Sequence, residues 1–506
     1  MILNESEKEI IISILERLLD CFQSEHFYLI GDKTNLQLPR YLKSKTIEPE
    51  NILENKNTFI LNMFDEAYDN SLREKSFCTN QKVLTIAKDR DETLGFYKIK
   101  NNNVNLDIRF SGEEFNSPLV KAPNTFRVLA IIHFYNEVDV IQKTTEYLIS
   151  QGVDVYLIDN WSDDGSYEIA KKLVMKYSDH IYLERFPTLG KTDYYDWYHQ
   201  LERTEQISKT LDYDWFIHYD ADEMRISPYK NITLLDTIYY VDQLGYNLIE
   251  NTVIDFKIVE KNNLNIFMED GYFDFGHRQA HFEQIKTWKK SYEIDLKKSG
   301  GHLAIIDNPK IFPLKILNRH YPLRSIQQAE KKVFIDRKPR FVKEKRERGW
   351  HGHYDNIREA TNLIENKNKL IKWNEHTFDE YYIQLFTGCG IEIEGKKDIK
   401  IESYKVSISS KDNIIIYGAG KIGKSIFDKY KEIIPIVAWV DKNYKRIPPI
   451  HGMIIESPEV IKSKIYDYIL IGIESRQIAE EIMDTLECMG VNKEKILWEP
   501  IVKQKE

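Results

Sequence analysis

The alternation of strands and helices between residues 128 and 183 constrains this chain more than any other feature. Val128-Leu129-Ala130-Ile131-Ile132 is an apolar run of strand length. Val138 to Gln151 carries a helical pattern, closed by Gly152. Val153 to Ile158 is a second apolar run. Ser166 to Tyr177 reads as a second helix, with Ile169, Leu173 and Val174 apolar, and Ile181-Tyr182-Leu183 as a third strand. Strands separated by helices of this length predict a parallel sheet with right-handed crossovers. Ligands of such sheets bind beyond the carboxyl ends of the strands. A long aromatic-rich helix then precedes Trp215-Phe216-Ile217-His218, a further buried strand that runs into Tyr219-Asp220-Ala221-Asp222-Glu223. Side chains two apart on a strand share a side. Asp220 and Asp222 are therefore expected to converge at a strand end, and paired carboxylates suit Mg²⁺ or Mn²⁺. The plain alternative is a solvated acidic turn, so the surrounding motifs decide.

A chain of 506 residues is too long for one ordinary core and predicts about three domains. Residues 1–122 read as an N-terminal α/β region. It opens with an amphipathic helix (Ile10, Ile11, Ile14, Leu15, Leu18, Leu19) and continues through three short apolar runs at 27–30, 58–61 and 82–86. Residues 123–375 hold the alternating unit, 376–408 a linker, and 409–506 a third α/β unit. The net charge of −9 argues against a phosphate-tracking nucleic-acid surface. Cys21, Cys78, Cys389 and Cys488 are widely spaced with no C-x-x-C pair, and read as free thiols of a reducing compartment. No apolar run reaches the ~20 residues of a membrane span, and the N-terminus lacks a basic leader pattern. A cytoplasmic protein is expected, with peripheral membrane contact left open.

Four motifs of the middle region follow in order. They are His133-Phe134-Tyr135-Asn136-Glu137, then Ile158-Asp159-Asn160-Trp161-Ser162-Asp163-Asp164-Gly165-Ser166, then the acidic pentapeptide, then Asn318-Arg319-His320-Tyr321-Pro322-Leu323-Arg324-Ser325. A basic stretch with Lys331, Lys332, Arg337, Lys338 and Arg340 follows the last. The order Y-N-E, D-N-x-S-x-D-G, D-x-D resembles family 2 glycosyltransferases of GT-A fold, with the GGHLAI and NRHYPLRS segments similar to a bacterial branch. The resemblance covers about 124–355. It implies that Tyr135 and Glu137 lie near the base and ribose of a nucleotide-diphosphate sugar, UDP-linked by default. Asp159 would hydrogen-bond the base with Asn160 beside it, although Asx residues also serve plain turns after strands. Lys191 after Gly190 matches a glycine-containing loop of the family, or is an ordinary turn. Asp220 and Asp222 match the metal pair and His320 the histidine that completes it, with His302 as a second candidate. Glu223 would turn in toward the sugar. Arg324 and one or two of the basic residues would contact diphosphate. An inverting transfer needs a carboxylate base. Asp270, in Glu269-Asp270, is the expected one, with Glu283 and Asp307 as rivals.

The C-terminal unit runs from Asn413-Ile414-Ile415-Ile416-Tyr417 into Gly418-Ala419-Gly420-Lys421-Ile422-Gly423, with Asp441 after the next strand. That is the spacing of a dinucleotide fingerprint. It is similar to the Rossmann-like domains appended to bacterial sugar-modifying enzymes. Gly418, Gly420, Gly423 and Asp441 bind a nucleotide on one reading; on the other the glycines serve tight packing and the unit supports oligomerisation. Three functions follow. The first is a metal-dependent, hexosyltransferase-like enzyme acting on a glycan or lipid-linked acceptor in surface polysaccharide synthesis. The second is an NAD(P)-dependent oxidoreductase built on the C-terminal fingerprint. The third is a non-catalytic nucleotide-sugar-binding protein.

Overall fold

The computed structural model describes residues 3–22, 27–30, 59–63, 82–88, 96–101, 104–260, 266–275, 283–340, 363–389 and most of 412–498, with isolated positions between. It divides into two compact units, Met1–Lys396 and Lys397–Glu506.

The first unit holds two sheets. Helix α1 (Glu5–Cys21) covers a five-stranded sheet of β1 (Phe27–Ile30), β2 (Phe59–Asn62), β3 (Lys82–Ala87), β4 (Tyr97–Asn101) and β5 (Val104–Ser111), in the order β1-β2-β3-β5-β4. The helix turns Ile11, Ile14, Leu15 and Leu18 inward at the 3–4 spacing of a buried stripe. Its Arg17 reaches the larger sheet, donating to Glu250 Oε2 at 2.8 Å and to the Pro313 carbonyl at 3.1 Å. Tyr229 and Tyr246 close the same boundary by donating to the Glu114 carbonyl and carboxylate.

The larger sheet has ten strands. Its first part is β6 (Val128–Phe134), β7 (Asp154–Asp159), β8 (Ile181–Arg185) and β9 (Trp215–Asp220), all parallel. Helices α2 (Ile141–Ser150), α3 (Ser166–Lys176) and α4 (Trp197–Thr210) connect them. This is the alternation expected from the sequence. The second part is mixed, not parallel. It contains β10 (Glu223–Ile226), β11 (Leu248–Lys257), β12 (Tyr272–Asp274), β13 (Glu283–Lys289), β14 (Ile316–His320) and β15 (Ile371–Lys372). The main path is β10-β14-β11-β13-β9-β6-β7-β8. β13 runs antiparallel to both β9 and β11, while β14 runs parallel to β11. The ends of β6, β7, β9 and β14 therefore open on one edge. Two apolar clusters flank the sheet, one shared with the N-terminal sheet and one built from Leu129, Phe216, Trp288 and Leu201.

The second unit has a four-stranded parallel sheet, β17-β16-β18-β19, of β16 (Ile414–Tyr417), β17 (Ile436–Val440), β18 (Tyr468–Ile471) and β19 (Ile496–Leu497). Its glycine loop is tightly packed. A Cβ on Gly423 would fall 1.8 Å from the Gly418 carbonyl oxygen. Asp441 braces this loop by accepting from Ala419 N through Oδ2 at 2.8 Å, while its Oδ1 accepts from Asn443 N at 2.7 Å in the turn after β17.

Candidate active site

Asp220 is the last residue of β9, but Asp222 is not on that strand. Ala221 and Asp222 form a two-residue turn, and Glu223 starts β10. Strand alternation, the expected reason for pairing the carboxylates, therefore does not apply: the chain reverses between them. The turn is pinned from both sides. Thr144 Oγ1 donates to the Ala221 carbonyl at 2.5 Å, and Tyr321 N to the Asp222 carbonyl at 2.9 Å.

Each carboxylate meets a buried ammonium. Lys286 Nζ donates to Asp220 Oδ2 at 2.6 Å and lies 3.3 Å from Glu223 Oε1. Lys286 sits where β13 slips register between Thr287–Ile249 and Ile285–Glu250, and such a bulge re-aims a side chain. Arg225 holds the other oxygen of Glu223 at 2.9 Å. Glu223 thus faces inward, on the Asp220 side. Lys332 Nζ donates to Asp222 Oδ2 at 2.7 Å and lies 3.2 Å from Glu137 Oε1. Burial pushes both carboxyls up, yet Lys286 beside Asp220 and Lys332 beside Asp222 hold them well below the usual range.

His320 ends β14, level with Glu223 on one neighbour strand and Asp255 on the other. Its Nδ1 pairs with Asp255 Oδ1 at 2.8 Å, and its Nε2 stands 3.7 Å from Asp222 Oδ1. Burial works against the imidazolium, but Asp255 and Asp222 raise its pKa to about 9. No group of three or more His, Cys, Asp or Glu side chains is assembled as a metal cage among the described residues. The chemistry of the pair nevertheless fits a divalent cation. A histidine whose far nitrogen is held by a carboxylate is the usual metal-ligating arrangement. The lysines occupy the Oδ2 atoms, leaving Oδ1 of Asp222 beside Nε2.

Past the end of β6, Tyr135 is buried beneath the Arg340 guanidinium, 4.1 Å from the ring centroid. Arg340 Nη2 donates to Asn160 Oδ1 at 2.7 Å, and Asn160 Nδ2 to the Phe186 carbonyl at 2.9 Å. Asp159 accepts from Ser162 N and Arg185 Nε, both at 3.0 Å. Both Asp159 oxygens are therefore engaged in the turn. Burial raises its pKa. Lys191 Nζ donates to Asp163 Oδ2 at 2.6 Å.

Glu137 lies in a cage of cations. Arg324 Nη2 donates to its Oε2, and Lys332 and Arg337 flank its Oε1. Arg324 also donates to Asp139 through Nε at 2.8 Å and Nη2 at 2.9 Å, and its Nη1 faces the Tyr321 carbonyl and Asp222. It is fully buried, with every nitrogen engaged by the protein.

The base candidates lie elsewhere. Asp270 is exposed, 3.9 Å from Arg319 Nη2. Arg319 leaves β14 on the opposite face from His320, because adjacent strand residues point apart. The structure does not bring Asp270 to the Asp222–His320 pair. Glu283 begins β13, but its side chain lies outside the described positions. Asp307 is exposed, and His302 accepts through its carbonyl from Ile285 N at 3.0 Å. Sequence reasoning missed Lys286, Asp255 and Asp139. The first two sit on strands paired with distant segments, and no local motif marks them.

Residues 129–192 match Glycosyl transferase family 2, and residues 410–497 match "C2185-like, N-terminal". The family 2 match marks the chain as a glycosyltransferase. It ends before the acidic turn, so that turn and His320 lie outside it. No curated protein sequence matches. Solved structures similar to the chain include two glycosyltransferases. One is a mannosyltransferase, PcManGT from Pyrobaculum calidifontis, in complex with GDP-Man and Mn²⁺, with 16% identity and TM-score 0.23 over 46% of this chain and 69% of that one. The other is the glycosyltransferase GlyE of Streptococcus pneumoniae TIGR4, with 9% identity and TM-score 0.22 over 72% of this chain and 90% of that one.

Proposed function

We propose that the chain transfers a sugar from a nucleotide-diphosphate donor to a hydroxyl acceptor with the help of a divalent cation. The observation that carries this reading is the Asp222–His320–Asp255 arrangement at the strand edge next to the family 2 segment. Asp222 Oδ1 and His320 Nε2 would hold the ion, with Asp220 across the turn. Bound there, Mn²⁺ or Mg²⁺ would hold the diphosphate and neutralise its leaving charge. Asp255 keeps the imidazole oriented. Lys286 fixes the Asp220 carboxylate, and Glu223, itself held by Arg225, braces that lysine. Tyr135, Asn160 and Lys191 border the nucleotide, with Asp159 shaping the loop beneath it. The transfer inverts the anomeric centre, with a carboxylate taking the acceptor proton, and the product is a bacterial surface glycan. The donor is a UDP-sugar by default.

The test is diphosphate release from a panel of UDP-, GDP-, CDP- and dTDP-sugars, with Mn²⁺, with Mg²⁺ and with excess chelator. Release that persists in chelator rules out the metal role. Asp222→Asn should lower turnover about 100-fold or more in protein that circular dichroism shows still folded. Asp270→Asn and Glu283→Gln assign the base: the true one lowers kcat about 100-fold and removes the acidic limb of the pH profile. If neither does, another group takes the proton.

A further inference from the structure

Lys286 and Glu250 are neighbours across the bulge between β13 and β11, yet each bonds elsewhere. Thr287 pairs with Ile249 of β11 and Ile285 with Glu250, so Lys286 falls between the two pairs as the extra residue. Its ammonium goes to Asp220 Oδ2 at 2.6 Å and Glu223 Oε1 at 3.3 Å. The Glu250 carboxylate is taken by other cations. Arg17 Nη1 of α1 donates to its Oε2 at 2.8 Å, and Lys315 Nζ lies 3.0 Å from its Oε1. All three side chains are largely withdrawn from water.

A ladder without the bulge is the obvious competitor. With Thr287 opposite Ile249, an uninterrupted antiparallel register would set Lys286 directly opposite Glu250. Residues directly opposite lie on one face with Cβ atoms about 5 Å apart, and opposite charges there attract. Lys286 would then turn to Glu250 and leave Asp220, and residues 283–285 would each swap faces. Burial pushes the Glu250 carboxyl up, but Lys315 and Arg17 hold it below its ordinary range, so it stays charged with both partners in place. A buried ion pair is weak evidence of stability in itself; selecting one register is the best-attested use of such groups. Arg17 has a second anchor beside the same site, donating to the Pro313 carbonyl at 3.1 Å.

We propose that Arg17 of the N-terminal helix is a positioning residue for the transfer: with Lys315 it occupies the Glu250 carboxylate and so keeps β13 in the bulged register that aims Lys286 at Asp220. The inference rests on the donor reading above, in which Asp220 flanks the cation seat. Arg17 touches neither donor nor cation and acts through Glu250 and Lys286. Without it, one oxygen of Glu250 opens to Lys286, and the two registers compete. The N-terminal region, which lies outside the family 2 segment, thereby becomes part of the working enzyme.

The experiment compares full-length wild type, Arg17→Met, Arg17→Lys and Ile14→Ala by hydrogen–deuterium exchange of residues 283–289 and by kcat and KM on the best donor in MnCl₂. The kcat is expressed per folded molecule, from the urea curve of each variant. Ile14 is a buried apolar residue of the same helix, so its variant loosens α1 and leaves the Glu250 carboxylate paired. Arg17→Met should lower kcat about 10–100-fold with KM within about threefold, and speed exchange across 283–289 about 10-fold. Arg17→Lys, which keeps the charge, should restore most of kcat. Ile14→Ala should keep kcat within about twofold. Wild-type exchange at 283–289 in Arg17→Met overturns the proposal, and so does a kcat loss that Ile14→Ala reproduces. Arg17→Gln repeats both readouts if the Met variant does not fold. Wild-type protein that turns over no donor overturns the donor reading; exchange at 283–289 still decides the register, so the two failures are distinguishable.

Discussion

Arg324 and Lys332 show how similar side chains part company once placed. Arg324 closes the fourth motif and Lys332 lies in the basic stretch after it, and charge alone cannot rank them. Arg324 is a buried strut with four acceptors. Removing one partner from such a network leaves uncompensated buried charge, which costs about 3–5 kcal/mol. Arg324→Met is expected to lower unfolding free energy by that order in urea denaturation, whereas a surface-exposed arginine would change it little. His133 makes a second residue-scale prediction. It is buried, with Nε2 2.7 Å from Thr204 Oγ1, and faces His218, Asp220, Glu184 and Gln200. Burial first, and then His218, push its pKa down to about 3. The unfolded chain binds that proton near pH 6.5 and the folded chain does not. Stability is therefore complete above pH 6.5 and falls as pH drops toward 3, by at most about 1.4 kcal/mol per pH unit. His133→Gln should shrink the difference in urea midpoint between pH 7 and pH 5, the rest coming from His218, whose pKa burial also pushes down to about 3; an unchanged difference contradicts the assignment. The positions of Asp220, Asp222 and His320 were legible because each follows an apolar run. Their partners were not, since Lys286 and Asp255 acquire their role only through pairing across the sheet.

The elements divide in the same way. Strands β6 to β9 were legible because each carries an apolar run separated from the next by a helix-length segment; β6, β7 and β9 are buried, while β8, at the sheet edge, buries only Ile181. The mixed half of the sheet was not. Its strands carry buried Asn251, Thr252, Lys286, Thr287 and Asn318, which break the apolar pattern that marks a core strand. The π-helical stretch was read only as a basic helix-like segment, because a sequence shows the charges and not the register of the turn. The acidic pentapeptide likewise read as one strand end, where the chain in fact makes a turn between two strands. Gly301 carries the element-scale prediction. The loop around it crosses beneath β9, with φ near +90, and an added Cβ would lie 2.9 Å from both His218 Cε1 and Leu201 Cδ2. The His218 ring in turn pairs through Nδ1 with the Gly301 carbonyl at 3.1 Å. Gly301→Ala must strain the backbone and displace both neighbours. The expected loss is about 1–3 kcal/mol in urea denaturation. A neutral variant would show that the loop relaxes freely and does not brace the strand beneath the acidic turn.

At the scale of the whole molecule, the chain divides into Met1–Lys396 and Lys397–Glu506. Every side chain of the proposed donor site belongs to the first unit. That unit also owns its core, which joins α1 and the N-terminal sheet to the larger sheet through Phe27, Leu106, Ile254 and Leu317. The second unit has separate apolar clusters around Ile415, Val440 and Ile471 and around Phe427 and Trp439. Its glycine loop illustrates why a fingerprint is ambiguous from sequence. The same three glycines that can approach a pyrophosphate also permit the contact of Gly423 with the Gly418 carbonyl, and Asp441 is already bonded to Ala419 N. Packing accounts for the motif without a nucleotide. A chain ending at Lys396 should therefore fold and bind nucleoside diphosphate with an affinity within about threefold of the full chain, since a unit that contributes no side chain to a local site adds little to it. Residues 397–506 alone should give a cooperative melt of their own. Calorimetric titration of the shorter chain is the measurement. A loss of tenfold or more in diphosphate affinity, with the truncated protein still folded by circular dichroism, would mean that the C-terminal unit completes the donor site and that the catalytic machinery is not confined to the first.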